Sequence, residues 1–141
     1  MSYKLLISQK GFCTIKPIIP LLWDKNVVFF PRRINDKLYF LHRIKPDIQI
    51  ASVSNLSDLT KEYWENYLIH FEENVVLSPK YKYDVSYIGG GYPPIETPHG
   101  WLLIYHTVHD SLAGYVYCAG AALLDLDNPH RTWHTPRSTF G

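Results

Sequence analysis

The sequence predicts an all-β protein built from antiparallel strands. Aromatic residues make up 15% of its 141 residues, with 11 Tyr among them, and such side chains fit the pleated, half-buried surface of a sheet. Short apolar segments recur and are separated by turn signals of Pro, Gly, Asn and Asp, a pattern typical of antiparallel sheets. With 46% hydrophobic and 19% charged residues, the composition indicates one globular domain over residues 1–141.

Six segments are predicted strands, because each is apolar-rich or alternates apolar with polar residues and is bounded by turn signals. Asn35-Asp36 lies between the second and third of them, which predicts a hairpin. In chain order the six are Tyr3–Ser8, Val27–Phe30, Lys37–His42, Asp47–Ser54, Trp101–His106 and Tyr115–Leu124.

One helix is predicted within Leu56–Phe71, where Leu59, Tyr63, Tyr67 and Phe71 recur at four-residue spacing. The rest of the chain repeats a simple unit of apolar strand, polar turn and second strand. That unit is typical of propeller blades of about 40–50 residues. On this scale the chain holds roughly three blades, whereas closed propellers have at least four.

Charge and targeting signals exclude several classes of partner. The chain has 14 Lys+Arg against 13 Asp+Glu, so it lacks the concentrated positive charge that nucleic acids and anionic membranes require. The N-terminus lacks the apolar core of a signal peptide, and no apolar run approaches the roughly 20 residues that span a bilayer. We therefore expect a cytoplasmic protein with no nucleic-acid or membrane partner. Cys13 and Cys118 are predicted to be reduced thiols.

The histidines and glycines do not predict a cofactor site. His106 and His109 are three residues apart, so a strand would point them to opposite faces. His130 and His134 are bracketed by prolines that argue against an aligning helix. The run Gly89-Gly90-Gly91 lacks the Gly-Lys-Ser/Thr ending of a phosphate loop. It predicts a tight turn whose backbone approaches something closely, and a turn without any ligand explains it equally well.

Three segments carry more specific information. They are NVVFFP at 26–31 with LHR at 41–43, IGGGYPPIET at 88–97 with GWLLIYH at 100–106, and YCAGAALLDLDNP at 117–129. Their order and spacing resemble glycoside hydrolase family 130, the mannoside phosphorylases and mannosidases, from roughly Leu5 to Pro136.

The resemblance implies both a fold and a chemistry. Family members are five-bladed β-propellers with a central sugar pocket, so this chain would be an incomplete five-bladed β-propeller of about two to three blades. They cleave β-mannosidic bonds with inversion, which needs an acid for the leaving oxygen and a nucleophile on the opposite face. The nucleophile is inorganic phosphate in phosphorylases and water in the related hydrolases. The family's acid is an Asp in an Asp-Pro-Arg motif, which the 141 residues do not contain, so no residue here inherits the catalytic role.

The family's phosphate-binding pattern falls on Lys25, Asn26, Arg43, Tyr87 and Tyr117. Asn26, Arg43 and Tyr117 keep the expected residue types. Lys25 stands where Arg is usual and loses the planar fork that suits phosphate. Tyr87 stands where phosphorylases carry Lys, so one cation is absent. The implied co-substrate is inorganic phosphate, and no other cofactor and no metal is predicted.

The resemblance also implies a sugar pocket for a mannose-containing oligosaccharide. Its predicted lining residues are His42, Tyr92, Trp101 and His106. Structural roles account for some of the same residues: Trp101 as a core residue of its strand, Arg43 in an ion pair between blades, and Asn26 in a turn.

The alternative function is a non-catalytic remnant that binds sugar weakly or associates with another chain. Open propeller edges expose unpaired strands, which favour association, including that of identical copies. The sequence also departs from the family at Arg32, Thr107 and Cys118, where Glu, Gly and Arg are usual. These departures fit either altered specificity or relaxed constraint.

Overall fold

The computed structural model describes the backbone of residues 5–7, 13–15, 24–79 and 87–133, and the side chains of residues 27–79 and 87–133. Two antiparallel sheets make up most of the described chain. The first has six strands that lie side by side in sequence order: β1 (Leu5–Ile7), β2 (Cys13–Ile15), β3 (Asp24–Phe29), β4 (Leu38–Ile44), β5 (Ile48–Val53) and β6 (Val75–Leu77).

The second sheet has five strands: β7 (Tyr87–Gly90), β8 (Ile95–Thr97), β9 (Gly100–Ser111), β10 (Gly114–Leu124) and β11 (Thr132–Trp133). Its order is β11-β10-β9-β7, and β8 also pairs with β9. All pairings in both sheets are antiparallel. The predicted all-β class and the two long C-terminal strands are confirmed, although β9 extends five residues past the predicted end at His106.

The predicted helix is confirmed, but it is shorter than the segment Leu56–Phe71 in which it was predicted. Helix α1 covers Lys61–Ile69, and 3-10 turns at Leu56–Asp58 and Phe71–Asn74 take up the rest of the segment. Thr60 begins α1 by accepting a hydrogen bond from the Tyr63 backbone N–H through its hydroxyl. The structure's helices, within the described ranges, all lack the length and apolar character needed to cross a membrane.

The main hydrophobic core lies between the two sheets. Phe30, Leu41 and Ile50 of the first sheet region pack with Trp101 and other side chains of the second. Trp101 is fully buried, meets the Phe30 ring edge-on at 5.2 Å, and donates its indole N–H to the Leu126 carbonyl at 3.1 Å. A backbone hydrogen bond from Ile88 N–H to the Pro46 carbonyl also joins the sheets. These contacts fix how strand β7 lies against strand β4.

A second core fills the opposite face of the first sheet, beneath α1. It includes Val27, Phe40, Trp64 and Tyr67. The Tyr67 hydroxyl donates to the Ile50 carbonyl at 2.8 Å and lies 2.8 Å from His42 Nε2. Because the single hydroxyl proton goes to the carbonyl, His42 Nε2 carries a proton and donates to the hydroxyl oxygen. The residues at four-residue spacing in the sequence therefore face this core, Tyr63 and Tyr67 from α1 itself.

Candidate functional site

Four side chains from four strands meet where the two sheets adjoin. Arg43 comes from β4, Tyr87 from β7, His106 from β9 and Tyr117 from β10. In the second sheet, both tyrosines pair with Val108, on either side of β9, while His106 lies two residues along that strand. Strand alternation therefore puts Tyr87, His106 and Tyr117 on one face of the sheet. The His106 and Tyr117 ring centroids are 6.2 Å apart.

Arg43 reaches this face from the first sheet and packs against an aromatic ring. Its guanidinium carbon is 4.5 Å from the Tyr87 ring centroid, and Lys45 Nζ is 4.0 Å from the same centroid. Both distances are in the range of cation–π attraction. Arg43 lies in β4 and Lys45 lies in the turn that follows it, so one tyrosine ring contacts a cation from the strand and a cation from the turn.

Gly89 supplies the space in which Arg43 and His106 meet. It is the register partner of His106 on β9. A Cβ atom at this position would lie 2.8 Å from His106 Cε1 and 3.1 Å from Arg43 Nη1. The close approach predicted for the glycine run is therefore found at Gly89. The predicted tight turn is wrong for Gly89 and Gly90, which lie within strand β7.

Arg43 is buried, and none of the described side chains supplies a counter-ion for it. The residue is 7% exposed, and its Nε atom has no hydrogen-bond partner within the described part of the chain. No ion pair of Arg43 is found among the side chains of residues 27–79 and 87–133, so the inter-blade ion pair considered for it is not seen there. Burying an unpaired cation is costly, and an anion that accepts hydrogen bonds relieves that cost.

The neighbours of Arg43 are neutral hydrogen-bonding groups at neutral pH. Burial, and then the charge of Arg43, lower the pKa of His106, which keeps the imidazole uncharged. The Tyr87 phenol raises the pKa of Tyr117, chiefly by electrostatic interaction. Tyr117 therefore keeps its hydroxyl proton at neutral pH. The cluster carries positive charge from Arg43 and Lys45, and neither cation forms an ion pair with a carboxylate among the described side chains.

Two of the predicted sugar-pocket residues have a structural setting instead. His42 is 1% exposed and packs with Trp64 and Tyr67 beneath α1, on the opposite side of β4 from Arg43. Adjacent residues of a strand point to opposite faces, so His42 and Arg43 cannot line the same pocket. Trp101 lies in the core between the sheets, as its structural alternative predicted.

The remaining predicted residues lie elsewhere or beyond the described side chains. Tyr92 follows the glycine run and is exposed. Lys25 and Asn26 belong to β3, and Lys25 is the register partner of Arg43; their side chains lie outside the described part. The cluster therefore unites three predicted phosphate residues with one predicted sugar residue, and their roles stay predictions.

Sequence reasoning missed Lys45 and the clasp formed by Arg32. Lys45 lies in the turn after β4, where no spacing rule in the sequence indicates its contact with Tyr87. Arg32 binds Glu96 through two parallel hydrogen bonds of 2.6 and 3.0 Å, and its guanidinium carbon is 5.0 Å from the Trp101 ring. This departure from the family thus joins the two sheets. Cys118 is an exposed free thiol on β10.

Known proteins resemble this chain over most of its length. The family model described as β-1,4-mannooligosaccharide phosphorylase matches residues 8–139. A 1,2-β-oligomannan phosphorylase of Thermoanaerobacter sp. is 37% identical over 109 residues, covering 77% of this chain and 32% of the relative. A β-1,4-mannooligosaccharide phosphorylase of Ruminococcus albus is 34% identical over 113 residues, covering 77% of this chain and 31% of the relative.

The structural comparison agrees. The β-1,2-mannobiose phosphorylase of Listeria innocua, solved with β-1,2-mannobiose, superposes with a TM-score of 0.59 at 31% identity, covering 86% of this chain and 32% of that one. The chain therefore spans about a third of the length of the relatives it matches, and its two sheets form part of their five-bladed propeller. The extent of the family match, residues 8–139 of 141, together with this fold, shows that the chain belongs to glycoside hydrolase family 130.

Proposed function

We propose that this chain provides the phosphate-binding part of a β-mannoside phosphorylase, with Arg43 as the central anion ligand. The observation that carries the proposal is the buried guanidinium of Arg43, which has no counter-ion among the described side chains and an Nε atom with no hydrogen-bond partner. Phosphate accepts several hydrogen bonds and suits the planar fork of arginine. In this proposal, the hydroxyl of Tyr117 and the ring of His106 add neutral donors.

The chemistry follows from placing phosphate at Arg43. Inorganic phosphate attacks the anomeric carbon of a β-mannoside from the face opposite the leaving oxygen. The new carbon–oxygen bond forms as the glycosidic bond breaks, and an acid protonates the leaving sugar. Inversion then gives α-mannose 1-phosphate and a shortened saccharide. Arg43 orients the phosphate and stabilises its negative charge in a partly buried site. None of the 141 residues is assigned the acid role.

Binding of phosphate to the 141-residue chain is the direct test. Titration followed by 31P NMR or calorimetry should show saturable binding, and Arg43→Met should weaken it roughly 10- to 100-fold, the effect of losing charge-assisted hydrogen bonds of about 1.5–3 kcal/mol. Arg131→Met is the matched control, because Arg131 is an exposed arginine 6.0 Å from the Trp133 ring. Equal losses in the two variants would contradict an assigned site at Arg43.

Incubation with mannobiose distinguishes the chemical outcomes. β-1,2- and β-1,4-linked mannobiose are offered with and without phosphate, and mannose 1-phosphate and free mannose are measured. Phosphate-dependent release of mannose 1-phosphate supports phosphorolysis. Release of mannose without phosphate supports hydrolysis instead. Specific phosphate binding without cleavage of mannobiose would mean that this chain supplies only the phosphate site.

A specific observation also favours association with a second copy. Strand β10 contains no charged residue. It pairs with β9 along its whole length, but on its other edge the described partner β11 covers only Leu123 and Leu124. Tyr115 and Val116 are exposed near the far end of the strand. An uncharged open edge is a template for strand pairing. Light scattering should show oligomers that Val116→Lys reduces, and a monomer at high concentration would refute this pairing.

A further inference from the structure

We propose that Tyr87 is a positioning residue for Arg43, acting through the face of its ring rather than as a direct ligand of the anion. The proposal rests on the proposed function only in taking phosphate as the anion. It differs from the prediction drawn from sequence, which placed Tyr87 among the groups that contact phosphate.

The ring of Tyr87 is engaged by cations. The Arg43 guanidinium carbon is 4.5 Å and Lys45 Nζ is 4.0 Å from its centroid. Arg43 is buried, so its attraction to the ring is little weakened by water, whereas Lys45 is exposed. Since Arg43 Nε has no hydrogen-bond partner and no carboxylate pairs with this guanidinium among the described side chains, the ring is the contact that orients it.

The place of Tyr87 in the second sheet is set by strand pairing. Tyr87 is the register partner of Val108 on β9, and Val108 pairs on its other side with Tyr117 of β10. The second sheet therefore holds Tyr87 while its ring contacts Arg43 of the first sheet.

Gly89 restricts the guanidinium on the remaining side. The position of a Cβ at Gly89 is only 3.1 Å from Arg43 Nη1. Arg43 thus lies between an aromatic face and a glycine backbone, an arrangement that limits its rotamers before any anion arrives. A ligand that finds its partner already oriented binds more tightly, because less side-chain entropy is lost on binding.

Two substitutions separate the ring from the hydroxyl. Tyr87→Phe keeps the aromatic face and removes the hydroxyl, whereas Tyr87→Leu removes the face. Tyr115→Leu is the matched control, since Tyr115 is an exposed tyrosine of the neighbouring strand β10. Circular dichroism and the thermal midpoint identify any variant that fails to fold.

The first readout is made without phosphate. The Nε–Hε signal of Arg43 in a 1H–15N spectrum, assigned by its loss in Arg43→Lys, should be displaced upfield by the ring current of Tyr87. The displacement should persist in Tyr87→Phe and Tyr115→Leu and disappear in Tyr87→Leu. An unchanged signal in folded Tyr87→Leu would overturn the proposal, and this result does not depend on whether phosphate binds.

The second readout is phosphate affinity. Tyr87→Leu should weaken binding roughly 5- to 30-fold, the effect of losing a partly desolvated cation–π contact, while Tyr87→Phe should stay within about threefold of the unsubstituted chain. An equal loss in Tyr87→Phe and Tyr87→Leu would overturn the proposal by making the hydroxyl a direct ligand. If the unsubstituted chain binds no phosphate, the proposed function fails, and the arginine signal alone decides the role of Tyr87.

Discussion

Replacing Gly89 by alanine should damage the site and the fold together, because two site side chains occupy the space that a methyl group needs. The new Cβ would lie 2.8 Å from His106 Cε1, 2.9 Å from His106 Nε2 and 3.1 Å from Arg43 Nη1. Carbon atoms in good contact are about 3.5–4.0 Å apart, so the imidazole has to retreat by roughly 0.7–1.2 Å. Arg43 has little freedom to move away, because the Tyr87 ring packs against it.

The magnitude follows from two opposing effects. Overpacking costs about 1–3 kcal/mol. Replacing glycine by alanine otherwise adds about 0.4–1 kcal/mol of stability by restricting the unfolded chain. Gly91→Ala is the matched control, since a Cβ there meets nothing within 4 Å. Comparing the two variants cancels the unfolded-chain effect, so Gly89→Ala should be less stable than Gly91→Ala by about 1–3 kcal/mol.

Urea unfolding followed by tryptophan fluorescence measures this difference, and the thermal midpoints should differ by roughly 3–10 °C. Phosphate titration of the same two proteins should show roughly tenfold weaker binding in Gly89→Ala alone, a displacement effect of the size that moving one ligand by about 1 Å produces. Equal unfolding free energies and equal phosphate affinities in the two variants would refute the close approach of Arg43 and His106 to this glycine.

Three further predictions concern other contacts. Tyr67→Phe should lower the unfolding free energy by about 1–3 kcal/mol, because it removes the hydroxyl that bonds His42 Nε2 and a buried carbonyl. Tyr63→Phe loses one part-buried hydrogen bond and should lower the unfolding free energy by less in the same urea titration. A larger loss in Tyr63→Phe than in Tyr67→Phe would contradict this prediction. Burial, and then a nearby lysine, lower the pKa of His130, so its stabilising effect is present above the ordinary histidine pKa of about 6.5 and is lost as the pH falls below it; His130→Gln should flatten that part of the stability curve, and an unchanged slope between pH 7 and 5 would count against it. Lys45→Met should weaken phosphate binding roughly twofold at low salt, and the difference should vanish in concentrated salt because Lys45 is exposed; a salt-independent loss would instead indicate direct contact.

The strands that could be predicted from the sequence are those whose own residues have high strand propensity. Strands β4, β5, β9 and β10 are rich in apolar residues, and the tyrosines of α1 recur at helical spacing because they face a core. Strand β7 was missed because Gly89 and Gly90 have low strand propensity. Their pairing with β9 imposes the extended conformation, and such long-range pairing has no local signal in the sequence.

The site was predictable only through the family resemblance. Arg43, Tyr87, His106 and Tyr117 are separated by between 11 and 44 residues along the chain, and no spacing rule unites residues from four strands. The burial of His42 beneath α1 was within reach of reasoning, since a residue next to Arg43 on a strand faces the other way. Lys45 lies in the turn after β4, where strand alternation gives no information. The contact of two cations with the Tyr87 ring could be seen only in the folded structure.

The boundary between the two sheets runs through the side-chain cluster around Arg43. Arg43 belongs to the first sheet and Lys45 to the turn that follows its strand β4, whereas Tyr87, His106 and Tyr117 belong to the second sheet. The geometry of the cluster therefore depends on how the two sheets are aligned. A shift of one sheet along the other would separate the Arg43 guanidinium from the Tyr87 ring before either sheet lost a hydrogen bond between its own strands. Under the proposed function, we expect distant contacts that set this alignment, such as the Arg32–Glu96 ion pair beside Trp101, to change phosphate affinity without touching the phosphate. Surface residues that never enter the site would then adjust its affinity.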